Sequence, residues 1–443
     1  MNGISKKLIE AVKNDLTPSL GVTEPGAIAY AAAGAARALG GRVKSVRARL
    51  NSCIYKNSFT CAVPGTDGMG CALAAALGAV AGDPDKKLMS TELASNEDIA
   101  EAKRLVSEGL ATAEMAEISP EIYIEATVET ENGEACAVVS KRHDLITSLY
   151  VNGKPVKTET RSLGSNDGGF KVSCVSFDDI LDCVESADDL GFIMDAVRMD
   201  LSLFEEGREK GLMPLTEARC LFDGSASARK DAELYTCGAI EARVRGAARP
   251  AMAITGSGSH GILCTLPVYE AGRFYADREF GEDDDHTQRA ILLSMLVTKY
   301  IKELSGLLST ACGCVLAGGT GAALGLTYLY AKKGIGTEAP VTDRAELKRM
   351  LSDALNSMAA SVTGMICHGG NTGCSLKASV GVNMAFAAAE MAVSGRGAES
   401  VHGILGLTPE ETMRNMGKVA RDMLPVEKTI IDIMDCKGCE KLI

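Results

Sequence analysis

Residues 121–141, EIYIEATVETENGEACAVVSK, carry the reading that decides the fold class. Ile122, Ile124, Ala126 and Val128 alternate across Glu121–Glu129, the period-two pattern of a half-buried strand. Asn132-Gly133 offers the positive-φ positions of a tight hairpin turn, and Ala135–Lys141 runs back. A further strand is expected at Leu145–Val151, closed by Asn152-Gly153. The chain therefore contains an antiparallel sheet.

Upstream, Val43, Val46, Ala48 and Leu50 alternate, and Phe59, Cys61 and Val63 precede a Pro64-Gly65 turn, so strands are expected there too. Gly70–Gly82 reads as a small-residue helix. Ser95–Glu114 reads as another, with Ile99, Ala102, Leu105 and Leu110 on one face. Residues 1–40 open with an amphipathic helix carrying Ile4, Leu8 and Val12. A stop at Thr17-Pro18 and an alanine-rich stretch from Gly26 to Leu39 follow. Downstream, residues 155–172 are polar, and the loop Ser165–Gly169 is the expected domain boundary. From Ser176 the period is helical almost throughout, broken by glycine loops at 256–261 and 368–373. The expected fold is α+β. Residues 1–40 form N-terminal helices packed on a helical domain, 41–165 form a smaller inserted α/β domain with an antiparallel sheet, and 166–443 form a large α-helical domain.

The 443 residues are 46% hydrophobic and 23% charged, the balance of a globular chain rather than a disordered one. A net charge of −12 argues against nucleic-acid or anionic-membrane partners, which need a basic patch. Trp is absent and aromatics are 4%, which removes the stacking platform of single-strand binders. Leu304–Ala331 lacks charge over a length compatible with a membrane span, but its Gly, Ala, Ser and Thr content fits a buried core segment better. The first residues read as a helix of the fold rather than a secretory signal, so the 15 cysteines are expected as thiols in a reducing cytoplasm. An odd count also forbids complete internal disulfide pairing.

Two cysteine clusters stand out. One is Thr310-Ala311-Cys312-Gly313-Cys314, and the other is Cys367-His368-Gly369-Gly370-Asn371-Thr372-Gly373-Cys374. The glycines let backbone amides approach sulfur, and the spacing is not the tight C-x₂₋₄-C pairing of zinc sites. Three thiolates around a cubane iron–sulfur cluster would leave one iron open as a Lewis acid. Buried free thiols in a small-residue core explain the same spacing equally well. The loop Thr255-Gly256-Ser257-Gly258-Ser259-His260-Gly261 lacks the Lys-Ser/Thr of a P-loop, but backbone amides, hydroxyls and an imidazole there suit a carboxylate. Lys56, beside Asn57, is either a base or anchor of depressed pKa or an exposed strand-end lysine. Glu24 precedes a helix-starting Pro25, and His143 lies in the β-rich region. Cys436-Lys437-Gly438-Cys439 near the C-terminus reads as a redox pair, a labile metal site or a tail of free thiols.

Taken together, the chain resembles the L-cysteine desulfidase family, whose members are PLP-independent, iron–sulfur-dependent and serine dehydratase α-subunit-like. The resemblance runs through Gly21–Ala32 (GVTEPGAIAYAA), Ile54–Gly65 (IYKNSFTCAVPG) and Ala242–Pro267 (ARVRGAARPAMAITGSGSHGILCTLP). It continues through Leu308–Leu326 (LSTACGCVLAGGTGAALGL), Gly364–Lys377 (GMICHGGNTGCSLK) and Thr429–Met434 (TIIDIM). It implies a [4Fe–4S] cluster and no PLP, with Cys314, Cys367 and Cys374 as ligands and Cys312 as a substitute for Cys314. The tail with Cys436 and Cys439 is not part of that resemblance, but by likeness to related cluster-dependent serine dehydratases, whose C-terminal cysteine folds back onto the site, Cys436 or Cys439 is expected to reach the cluster as a displaceable ligand.

The implied reaction converts L-cysteine to pyruvate, ammonia and sulfide. The same elimination on L-serine or another β-substituted amino acid is one alternative, and a non-catalytic iron–sulfur or thiol redox sensor is the other. Ser257, Ser259 and His260 with Lys56 and Asn57 are expected to hold the substrate carboxylate and amine, and Thr23 and Glu24 to complete the wall. Lys56 and His143 are the candidate bases. A small amino acid is the expected partner, with a homodimer as one arrangement of the chain. Val22 stands where the family has a cysteine, and Ser259-His260-Gly261 where it has Asn-Gln-Gly.

Overall fold

The computed structural model of the chain describes residues 1–158, 170–220, 226–276 and 284–436. The expected boundary loop Ser165–Gly169 and Cys439 lie outside the described residues. The first part of the chain comprises α1 (Gly3–Lys13), β1 (Thr17–Leu20), α2 (Thr23–Leu39), β2 (Val43–Asn51), α3 (Ser52–Ser58), α4 (Cys71–Ala81) and α5 (Asn96–Ser107). Strands β3 (Ala111–Glu117), β4 (Tyr123–Thr130), β5 (Gly133–Ser140), β6 (Ile146–Val151) and β7 (Lys154–Thr158) follow. The helical part contains α6 (Phe177–Ser186), α7 (Gly191–Glu209), α8 (Pro214–Cys220), α9 (Ala228–Val244), a short β8 (Pro250–Ala253), α10 (Gly258–Tyr275) and α11 (Asp285–Ser305). It ends with α12 (Thr320–Lys333), α13 (Arg344–Val362), α14 (Gly373–Val393), α15 (Pro409–Asp422) and α16 (Leu424–Cys436). The fold is α+β, as the hairpin and the helical periods require.

The hairpin pairs Ala126 with Ala137 and Thr130 with Gly133. Six strands form one sheet in the order β3-β2-β4-β5-β6-β7, antiparallel except for β2 beside β3. Two sequence expectations are corrected here, and one strand is added. The expected helix Ser95–Glu114 stops at Ser107, because Gly109 adopts φ +71° and the Leu110 amide bonds back to the Leu105 carbonyl, a glycine helix stop. The residues after it become edge strand β3. Strand β7, which is exposed and lysine-bearing, carries no apolar alternation to announce it. The expected strand around Phe59–Val63 is not formed beyond an Ala62–Met69 bridge. Ahead of it, Asn51 Nδ2 and the Ser52 hydroxyl both bond the Ser119 carbonyl, pinning the chain where β2 gives way to α3.

Two cores result. The larger joins α1 to the helical part through Leu8, Ile9 and Val12. The smaller fills the space between the sheet and α2, α4 and α5. The N-terminal helices therefore part company. Both were expected on the helical domain; α1 joins the larger core, whereas the alanines of α2 share the smaller one with Ile124, Val128 and Val139 of the sheet. Helices α2 and α4 touch at backbone distance, since a side chain on Gly78 would run into the Ala29 backbone. Among the described residues, two helical segments are long and apolar enough to cross a membrane. In Cys314–Lys333 the apolar window is 94% buried inside the protein, which makes it core, and in Gly373–Val393 it is 50% buried.

Candidate active site

The cysteine segments, some 50 residues apart in sequence, are zipped together by two backbone bonds. The Cys312 amide donates to the Met365 carbonyl at 2.8 Å, and the Cys367 amide to the Thr310 carbonyl at 2.7 Å. Cys314 then opens a turn of π-helix, Cys314–Gly319, a local widening that recurs at functional sites. The loop that follows Cys367 is pressed onto α3. The Gly370 amide donates to the Asn57 carbonyl at 3.0 Å. A Cβ on Gly369 would stand 2.6 Å from the Lys56 carbonyl, and one on Gly370 the same distance from that of Asn57. Both glycines are thus required by close approach. Asn371 accepts from the Gly373 amide at 2.9 Å and so starts α14, whose second residue is Cys374.

Asn57 links the two halves of the site. Its Nδ2 donates to Glu24 Oε1 at 2.7 Å, while the Cys367 thiol donates to its Oδ1 at 3.6 Å. Glu24 is 8% exposed in the first turn of α2. Its neighbour Thr23 turns elsewhere. Buried Arg243 donates to the Thr23 hydroxyl at 3.1 Å and to the Ser259 hydroxyl at 2.8 Å.

Between β8 and α10 the chain makes a strained turn. Thr255 has φ +52°, unusual for a β-branched residue, and Gly256 φ +76°. The Thr255 amide donates to Asp15 Oδ2 at 3.0 Å, and the Ser257 amide to the Ile254 carbonyl at 3.1 Å. The loop is therefore not an open nest of free amides. The Thr255 hydroxyl lies 2.7 Å from both the Ile254 carbonyl and His260 Nδ1. It has one proton, and donating it to the carbonyl leaves His260 Nδ1–H as donor and His260 Nε2 as an acceptor. Burial, then the charges of Lys302 and Arg243, hold the His260 imidazole well below its usual pKa. Burial likewise lowers that of His143, whose Nε2 is buried without a hydrogen-bond partner.

Lys302, on α11, is 2% exposed, and among the described residues no carboxylate lies within ion-pair distance of it. Burial pushes its pKa down to about 8, opposed by the thiols of Cys314 and Cys367. A Cβ on Gly313 would meet His260 Nε2 at 2.7 Å and the Lys302 ammonium at 3.1 Å, so only glycine fits between Cys312 and Cys314. Those two thiols share a hydrogen bond, which lowers the pKa of Cys312 and raises that of Cys314. Burial pushes Cys374 up to about 12.

All four cysteines face one cavity of about 70 Å³, together with Glu24, Asn57, His143, Ser257, His260, Lys302 and Lys377. It adjoins an outer chamber of about 440 Å³ between α1 and the 142–144 loop, and both are lined by His143, Gly256 and Leu307. Of the residues singled out from the sequence, Thr23, Ser259 and Lys56 do not line the cavity. Lys56 is bonded to Glu427 instead. Cys436 is exposed at the end of α16 and does not line the cavity either. Lys302 and Lys377 were not anticipated. A signal for Lys302 existed, because Ile291, Met295, Thr298 and Lys302 share one helical stripe, placing a lysine at a core position.

A profile of the serine dehydratase alpha chain family matches residues 85–431. The chain belongs to that family. Dehydratases are lyases, which sets the broad functional class. Among curated relatives, a protein named only UPF0597 from Clostridium botulinum strain Langeland is 33% identical over 440 residues, covering 96% of this chain and 98% of the relative. One from Caldanaerobacter subterraneus subsp. tengcongensis is 31% identical over 436 residues, covering 96% and 97%. One from Bacteroides fragilis is 30% identical over 447 residues, covering 98% and 99%.

Proposed function

We propose that this chain is an iron–sulfur lyase that eliminates a β-substituent, sulfide or water, from a small L-amino acid, with L-cysteine the first substrate to test and L-serine the second. The observation that carries the reading is the convergence of four thiols, a buried lysine and an unpartnered imidazole on one small cavity.

The donor set fits a cluster better than a single ion. Among the described residues, no three His, Cys, Asp or Glu side chains converge on one metal position. Cys312, Cys314, Cys367 and Cys374 all line the one cavity, and a cubane takes thiolates as its ligands, one per iron. Cys367, Cys374 and one of the hydrogen-bonded pair Cys312 and Cys314 would hold it. When bound, such a cluster supplies an iron without a protein ligand, able to accept the charge of the leaving group.

The chain's own residues supply the rest. Neutral His143 takes the Cα proton on Nε2, the Cβ–S or Cβ–O bond breaks, and its electron pair leaves with sulfide or hydroxide. The released aminoacrylate hydrolyses in water to pyruvate and ammonia. Asn57 fixes the Glu24 carboxylate, and burial excludes bulk water from the proton transfer. The test is anaerobic reconstitution with iron and sulfide, followed by pyruvate assay on L-cysteine, L-serine and L-threonine. Turnover of any one supports the reading. An intact cluster with no turnover, and a spectrum indifferent to these amino acids, would favour the sensor instead.

A further inference from the structure

Lys302 is a buried cation with no carboxylate within ion-pair distance among the described residues. Such a charge is costly to keep unless a counter-charge arrives. Its ammonium sits over Gly313, beside the acceptor nitrogen of His260, in a hollow that any side chain at 313 would fill. His260 is in turn fixed by the strained Thr255, so the ammonium has a rigid neighbour. Elsewhere in the same cavity stands Glu24, one oxygen held by Asn57. One lysine and one carboxylate facing a single small cavity complement a zwitterion.

We infer that Lys302 anchors the α-carboxylate of the amino acid and that Glu24 takes its α-ammonium. This rests on the proposed amino-acid lyase and names the groups that recognise its substrate. The competing role is neutralisation of the nearby thiols, for which Lys377, one turn beyond Cys374, is also placed. A carboxylate anchor also predicts that an amino-acid ester is a poor ligand, whereas a counter-ion for sulfur predicts no such preference.

The experiment is calorimetric titration of reconstituted protein with L-alanine, which keeps both charged groups but has no leaving group, and with L-alanine methyl ester. Wild type, Lys302→Met and Lys302→Gln are compared, with iron content and melting temperature measured on each and the pyruvate assay run alongside. Wild type is expected to bind L-alanine and discriminate against the ester. Both variants are expected to keep their iron and bind L-alanine about 30-fold more weakly or worse, with the ester preference lost, as removal of a charge-assisted bond requires. Loss of iron in a folded variant would overturn the inference in favour of a thiol counter-ion. Unchanged affinity, or no L-alanine binding by wild type, would overturn it outright. Lys302-dependent binding without pyruvate release would leave the anchor standing and sink the lyase reading alone. Should Lys302→Met fail to fold, Glu24→Gln, which keeps the amide contact to Asn57, reads the other half of the assignment: weaker L-alanine binding with iron retained supports it, and unchanged binding refutes it.

Discussion

The Lys56 ammonium donates to Glu427 Oε2 at 2.7 Å, and both side chains are wholly buried although 371 residues separate them in sequence. Burial opposes the charge on Lys56, but the thiols of Cys367 and Cys53 and the Glu427 carboxylate outweigh it, leaving its pKa raised. Helix α16 is thereby fastened to α3, beside Asn57 and the loop that carries Cys367. Removing one partner strands the other in a dry interior. Glu427→Ala should cost roughly 3–5 kcal/mol in chemical denaturation, and Lys56→Met a similar amount. The double variant Lys56→Met with Glu427→Leu should recover much of that loss. Additive losses in the double variant would show that the pair does not act as a unit.

Asp200 makes stability depend on pH. Burial raises its carboxyl pKa from 3.8 to about 8, against the bonds it accepts from the Met252 amide and Thr265. The Thr265 hydroxyl also reaches the Gly261 carbonyl at 2.8 Å, so it can accept a hydrogen bond from a protonated Asp200 while donating there. From pH 3.8 to about 8 the native state holds a proton that the unfolded chain has released. Stability from this group is therefore complete below that window and is lost as pH rises through it. Asp200→Asn should flatten the decline in denaturation midpoint between pH 5 and pH 9. An unchanged slope would place the titration elsewhere.

The architecture was legible where a period ran long enough to count. The hairpin through Asn132-Gly133 and the helical half are of this kind. Strand β7 was not, because an exposed edge strand has no apolar face, and α2 was assigned to the wrong core because an alanine-rich helix does not announce its partner. The site was legible only in part. Cysteines and glycines cluster in sequence, so Cys312, Cys314, Cys367 and Cys374 stand out from the sequence alone. Lys56 and Thr23 lie in equally suggestive segments, yet tertiary partners claim them: Glu427 is hundreds of residues away, and so is Arg243. Lys302 differs again: its place on the apolar stripe of α11 marks it as a core lysine, but the stripe does not say which cavity it faces.

The outer chamber gives a steric test of access. Ala11 lines it, whereas the four cysteines line only the inner cavity. Ala11→Trp should lower kcat/KM by about tenfold or more through obstruction, with iron content and melting temperature close to wild type. An equally bulky change at Leu93, which is 77% exposed on the surface, is the control and should leave turnover intact. Equal turnover by both variants would mean that substrate enters by another path.

His143 offers the sharpest test of chemistry. Its Nε2 is buried and unpartnered, a cost that folding alone does not recover, and it sits where inner cavity and outer chamber meet. A Cβ on Gly256 would stand 2.9 Å from His143 Nδ1, so the turn leaves the ring its place. If Nε2 takes the Cα proton, His143→Gln should lower kcat by about 10²–10⁴-fold while KM and iron content stay near wild type. Exchange of the Cα proton of L-alanine with deuterated solvent, followed by proton NMR, should fall in parallel, because it needs the base but no leaving group. A variant that keeps its exchange rate while losing turnover would assign His143 to leaving-group departure, and one that keeps both would remove it from the mechanism.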